Sequence, residues 1–154
     1  MIKAIFTAPR PNSLQKSVKK INVIAGKGII GDRNYDQNRW QGQNITLIEV
    51  ENINSFNKNY QQELSIEVTR RNLITEGVLL NELVGKEFSI GPIKLLGTEL
   101  CELCSSLGIQ LASESVSKQQ VLEAFKNKAG IRAAILSSGE ITTDMSITTP
   151  QVKL

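Results

Sequence analysis

Few side chains in this sequence are equipped for covalent chemistry, and two of them sit together in "TELCELCSSLG" (98–108), where Cys101 and Cys104 are the only cysteines. A C-x-x-C of this kind is compatible with a redox pair, half a metal site, a lone sulfur nucleophile or two buried thiols. The chain contains no histidine. That removes Ser-His-Asp and Cys-His nucleophile pairs, histidine general bases and histidine metal ligands together. Two thiolates supply only half of a tetrahedral zinc site, so no metal centre is expected. A thioredoxin-like pair opens a helix inside a βαβ unit, and the surrounding pattern is not of that kind. Two inert buried thiols are the plain alternative, since free cysteine is among the most buried residue types. Cys104 follows a strand ending near Leu100 and lies in a connection, which favours exposure and the reading as a nucleophile.

Arginine supplies the second group of chemical side chains. In "VTRRNLIT" (68–75), strand alternation puts Arg70 and Asn72 on one face with Val68 and Ile74, and turns Arg71 to the other with Leu73. An arginine and an amide on a largely apolar face are costly unless an anion or a strong hydrogen-bonding group meets them. A structural ion pair to Glu67 or Glu76 would meet the same need. "GKGIIGDR" (26–33) has three glycines before an acid and a base. It lacks the Lys-Ser/Thr ending of a phosphate loop. It reads either as a tight turn capped by Asp32 or as a rigid turn placing Asp32 and Arg33 at a pocket mouth.

The elements that must hold these residues are mostly short strands. They fall at 17–26, 43–50, 65–75, 86–91, 93–100, 130–141 and 145–154, and Gly91-Pro92 marks a turn between two of them. The stretch "NYDQNRWQGQN" (34–44) has neither period and reads as one long loop. "SKQQVLEAFKNKAG" (117–130) reads as a helix opened by a Ser117–Gln120 capping box and stopped by Gly130. A second helix is expected from Glu49, and a helical turn at "LLNELVG". Strands without regularly alternating helices predict a β-rich, mainly all-β single domain over 1–154. Two or three short helices and a closed or nearly closed barrel complete it.

Net charge is +3 and only 5% of residues are aromatic, so a basic, base-stacking nucleic-acid surface is not expected. No apolar run is long enough for a bilayer, and the first fifteen residues lack the apolar core of a signal peptide. A cytoplasmic protein with reduced thiols is the expectation.

In their order, these segments resemble the MOSC domain, the family named for the C-terminal domain of molybdenum-cofactor sulfurases. "VIAGKGIIGDR" resembles its glycine-rich opening, "QNITLIE" its next strand and "TRRNLITEGVLLNELVGKEFSIGPIKLLGTELCELC" its central block. "GIRAAILSSGEI" resembles its closing strand. The resemblance implies a β-barrel-like fold and a sulfur carrier or sulfurtransferase linked to the molybdenum cofactor (molybdopterin). The non-catalytic alternative is a module that binds that cofactor or another anion. Cys104 matches the proposed persulfide-bearing cysteine, with Cys101 as a possible resolving thiol. Arg70, Asn72, Asp32 and Arg33 match positions expected to line the site, with Arg71 beside them. No pyridoxal phosphate site is recognisable. A separate cysteine desulfurase is the implied sulfur donor, and a molybdoenzyme is a further implied partner. The sequence departs from the family pattern at Asn34, where a histidine is usual, at Leu103 for proline, and at Thr143 for glycine.

Overall fold

The computed structural model describes residues 1–37 and 42–150. In chain order its strands are β1 (Ile2–Thr7), β2 (Lys16–Val18), β3 (Lys20–Ile24), β4 (Gly28–Ile29), β5 (Ile45–Glu49) and β6 (Leu73–Thr75). Then follow β7 (Glu87–Ile90), β8 (Ile93–Leu100), β9 (Ile131–Ile135), β10 (Gly139–Thr142) and β11 (Ile147–Thr148). Eight of them form one sheet in the order β11-β7-β8-β9-β5-β6-β1-β2, and β10-β3-β4 form a second. Backbone bonds from Ile2 N to Met145 O (2.9 Å) and from Asp144 N to Ile2 O (2.8 Å) tie β1 to the turn that enters β11. The large sheet therefore curls into a half-barrel, the β-rich architecture expected from the sequence.

Alternation along the strands divides the apolar residues between two cores. Leu47 and Leu73 face the inside of the curl with Ile5, Val23 and Leu95. Their neighbours Ile48 and Ile74 face outward, against Phe56, Leu111 and Phe125 of the helical layer. That layer consists of α1 (Val50–Tyr60), α2 (Ser105–Leu111) and α3 (Lys118–Ala124). The capping box of α3 is present: Ser117 Oγ accepts from Gln120 N at 3.2 Å and Gln120 Oε1 accepts from Ser117 N at 2.9 Å. The helix ends at Ala124, well before Gly130, because Phe125 leaves helical geometry and the chain continues in turns.

Several expectations are corrected. The strand expected over 65–75 is only β6; Ile66–Thr69 is a 3-10 turn closed by Arg70 in the left-handed region, φ 60° and ψ 24°. The expected strands at 17–26 and 130–141 each break in two, at Lys19 and at Leu136–Ser138. β5 and β6 pair in parallel, with Leu47 opposite Leu73, so α1 is a crossover and one βαβ unit sits inside an otherwise antiparallel sheet. The expected loop over 34–44 falls partly on 38–41, outside the described residues, as do 151–154 of the expected last strand.

Candidate functional site

The glycine-rich turn is held by Asp32. Its Oδ1 accepts from Ala8 N at 3.0 Å and Oδ2 accepts from Asn34 N at 3.3 Å. Arg33 N in turn donates to Ala8 O at 2.8 Å. Asp32 is thus a buried brace between the exit of β1 and the turn after β4, and its effect is to aim Arg33. The Arg33 guanidinium donates to Gln15 Oε1 (3.0 Å) and to Arg70 O (2.9 Å), and it pairs with Asp32 Oδ1 at 3.3 Å. Burial lowers the pKa of Arg33; Asp32 opposes this, while Arg70 and Arg71 add to it.

Arg70 leaves the 3-10 turn in the left-handed region, a conformation costly for a residue with a Cβ. That backbone turn sends its guanidinium to the β1–β2 loop, where it donates to Ser13 O at 2.8 Å and Pro11 O at 3.0 Å. Among the described residues two of its five N–H groups are used, leaving donors for a ligand. Arg71 is buried and donates from Nε to Ala129 O (2.9 Å) and from Nη2 to Glu102 O (3.3 Å). It therefore clamps the stretch between the two cysteines. Burial lowers its pKa, Cys101 opposes this, Arg132 adds to it and Cys104 opposes it. Asn72 is fully buried. Its Nδ2 donates to Phe6 O at 3.2 Å, while Oδ1 accepts from Thr46 N at 3.1 Å and from Thr46 Oγ1 at 3.2 Å. Its amide is consumed in fixing the start of β6 against β1 and β5.

The two thiols differ. Cys101 is 1% exposed and its backbone N donates to Gly130 O at 2.8 Å. Burial pushes its thiol pKa up, against the lowering effect of Arg71 and Arg132. Cys104 is exposed, immediately before α2. It lines a cavity of about 550 Å³ together with Arg33, Arg70, Arg71, Pro11 and Gln110. A second space of about 280 Å³ shares the three arginines and adds Asn34, Thr46 and Arg132. On the other side of Cys104 a third, of about 430 Å³, is lined by Glu99, Glu102 and Arg132. Arg132 had no place in the sequence reading. Its available signal was a lone arginine in the apolar strand "IRAAI"; it pairs with Glu99 at 2.9 Å, and Gln43 donates to the same carboxylate oxygen at 2.7 Å. Of the residues singled out by sequence, Arg33, Arg70, Arg71 and Cys104 share one cavity; Asp32, Asn72 and Cys101 are buried around it.

The family model of the MOSC domain matches residues 31–148. The chain belongs to the MOSC domain family. Its fold is similar to that of the YuaD protein from Bacillus subtilis: TM-score 0.81, 16% identity, covering 97% of this chain and 96% of that one. It is also similar to YiiM from Geobacillus stearothermophilus (TM-score 0.70, 14% identity, 98% of this chain and 75% of that one). YiiM from Escherichia coli gives 0.69 and 12%, covering 99% and 72%. No curated protein matches the chain significantly. The MOSC family is associated with the molybdenum cofactor. The donor set fits the phosphate end of such a group: among the described residues, the ion pairs leave Arg70 and Arg71 without a carboxylate partner beside the cavity. Among those residues no cluster of three or more His, Cys, Asp or Glu could hold a bare metal ion, and no helix is long and apolar enough to cross a membrane.

Proposed function

We propose that this MOSC domain carries and transfers sulfur as a persulfide on Cys104, beside an arginine site for an anionic pterin-type ligand such as the molybdenum cofactor. The observation that carries this reading is the shared cavity of exposed Cys104 with Arg33, Arg70 and Arg71. Cys104 is open to an incoming sulfur donor there, and a cysteine thiolate is the species that accepts sulfur. In the loading step the Cys104 thiolate attacks the outer sulfur of a donor persulfide. The donor S–S bond breaks, the donor departs as a thiolate, and the sulfur remains on Cys104 with no external oxidant consumed. A pyridoxal phosphate-dependent cysteine desulfurase is the donor class this step requires, acting as a separate chain in the reducing cytoplasm, and a molybdoenzyme is a fitting recipient. Arg33 and Arg70 orient the anion, Arg71 adds charge and fixes the Cys101–Cys104 stretch, and Asp32 and Asn72 hold these parts in place. The molybdenum cofactor, when bound, supplies the metal centre that receives or uses sulfur.

A second reading, a module that binds the anion without catalysis, is favoured by Asn34. It lines the arginine cavity where the family resemblance places a histidine, and it supplies no titrating group. A Cys101–Cys104 redox pair is the least favoured, because Cys101 is closed to solvent. Mass spectrometry after treatment with a cysteine desulfurase and cysteine separates the three. One added sulfur atom on Cys104, absent in Cys104→Ser while phosphate affinity persists, is the expected result. Sulfur transfer that survives Cys104→Ser would eliminate the nucleophile, tight phosphate binding by an unmodified Cys104 would favour the binding module, and a Cys101–Cys104 disulfide would favour the redox pair.

A further inference from the structure

A further cavity, of about 410 Å³, lies against the far side of Arg70. Leu14, Val68 and Leu111 give it apolar walls, and it shares Arg70 and Gln110 with the cavity of Cys104. Leu14, which stands in this wall, is 89% exposed, so its apolar surface is open to whatever enters the cavity. Neither the persulfide nor the anion site makes use of this space.

We infer that the site takes a singly headed amphiphilic anion, its charged group on Arg33, Arg70 and Arg71 and its apolar body in the cavity of Leu14, Val68 and Leu111. This deepens the anion-binding half of the function proposed above and rests on it. Three observations converge. Arg70 lines both spaces and, among the described residues, keeps N–H donors beyond those it gives to Pro11 and Ser13, so a charged group can sit on it while the attached body passes to the other side. The apolar walls gain from an uncharged body by removal of surface from water. Glu67 also lines the apolar cavity of Leu14 and Val68 and is in no ion pair among the described residues, so a second anionic group on the body meets like charge.

The test is a dissociation-constant series by calorimetry on the full chain with inorganic phosphate, hexyl phosphate and hexane-1,6-diol bisphosphate. Hexyl phosphate should bind about tenfold more tightly than inorganic phosphate, a gain that burying roughly two methylene groups suffices to give. The bisphosphate, with a charge at each end, should lose that gain. In Leu14→Asp the hexyl-to-inorganic affinity ratio should fall from about ten to about one; Leu14 is exposed, so the variant folds, and Leu14→Asn, which brings no charge, gives a second reading of the same wall. A ratio near one in the wild type, a bisphosphate that binds as well as hexyl phosphate, or a ratio unmoved in both variants overturns the inference and leaves the arginine site standing. Absence of binding by all three phosphates overturns the anion site itself, and the inference with it.

Discussion

Arg70 joins three demands in one residue: a left-handed backbone, a latch on the β1–β2 loop and a charge at the cavity. Replacing it by alanine and by glycine separates them. Both variants lose the hydrogen bonds to Ser13 O and Pro11 O. Bonds from a charged donor contribute roughly 1.5–3 kcal/mol each when fully enclosed, and half-exposure with a loop able to relax brings the pair to about 2 kcal/mol in total. Alanine must still adopt φ 60°, whereas glycine adopts it freely. Arg70→Gly should therefore be more stable than Arg70→Ala by about 1 kcal/mol, despite the extra freedom glycine gains on unfolding. Phosphate affinity should fall equally in both, by about tenfold or more, since each loses the same charge-assisted donor. Urea unfolding and calorimetric titration of wild type and the two variants read both quantities. Equal stability of the two variants refutes the strain argument, and phosphate affinity at the wild-type level in either refutes the placement of the anion on Arg70.

The other expectations concern the thiols and the packing beneath them. Iodoacetamide near neutral pH should label exposed Cys104 within the folded protein and Cys101 only on unfolding; peptide mass mapping reads the two rates, and equal labelling would contradict the burial of Cys101. Because burial raises the Cys101 pKa, the native thiol keeps its proton while the unfolded chain gives it up near the ordinary value of about 8.5. Its contribution to stability is therefore complete below that pH and declines above it, so unfolding curves between about pH 8 and 10 should be less pH-dependent in Cys101→Ala than in wild type. Gly130→Ala should cost about 3 kcal/mol or more, because a Cβ at φ +92° runs into the Leu47 carbonyl; thermal unfolding reads it, and a loss under about 1 kcal/mol would contradict the close approach of β9 to β5.

The antiparallel part of the fold was legible because its signals are local. Gly91, at φ 53°, turns β7 into β8 where Gly91-Pro92 announced a turn, and the Ser117–Gln120 box opens α3 as read. The 66–72 stretch was misread because alternation is blind to a single left-handed residue. Val68 and Ile74 both face the helical core, as a strand would place them, but a 3-10 turn and Arg70 come between. β1 carries an imperfect alternation, with Ile5 and Phe6 both buried, and so gave little strand signal. α2 was hidden by Gly108, a poor helix former that is there because Leu122 of α3 packs onto it; a Cβ would come within 2.9 Å of that side chain. The parallel pairing of β5 with β6 is a long-range choice that local pattern does not encode. At the site, exposure of Cys104 followed from its position in a connection, whereas the burial of Asp32 and Asn72 follows from backbone partners far away in sequence.

The same long-range partners explain why the cations stay close together. Arg33, Arg70 and Arg71 lie near enough that Arg70 and Arg71 each lower Arg33, and Arg132 lowers Arg71. Like charges held this way work against the fold, and a core built for stability alone would disperse them. Asp32 offsets part of the repulsion at Arg33, but its carboxylate is also committed to the backbone of Ala8 and Asn34. What holds the guanidinium groups in place is a set of carbonyls, those of Ser13, Pro11, Ala129, Glu102 and Arg70 itself, which fix geometry without cancelling charge. In a protein whose strands and caps otherwise agree with one another, local choices that oppose stability are where a functional site is expected. On the function proposed above, an anion among these arginines would supply the charge that the carbonyl latches do not, and it would share its cavity with Cys104.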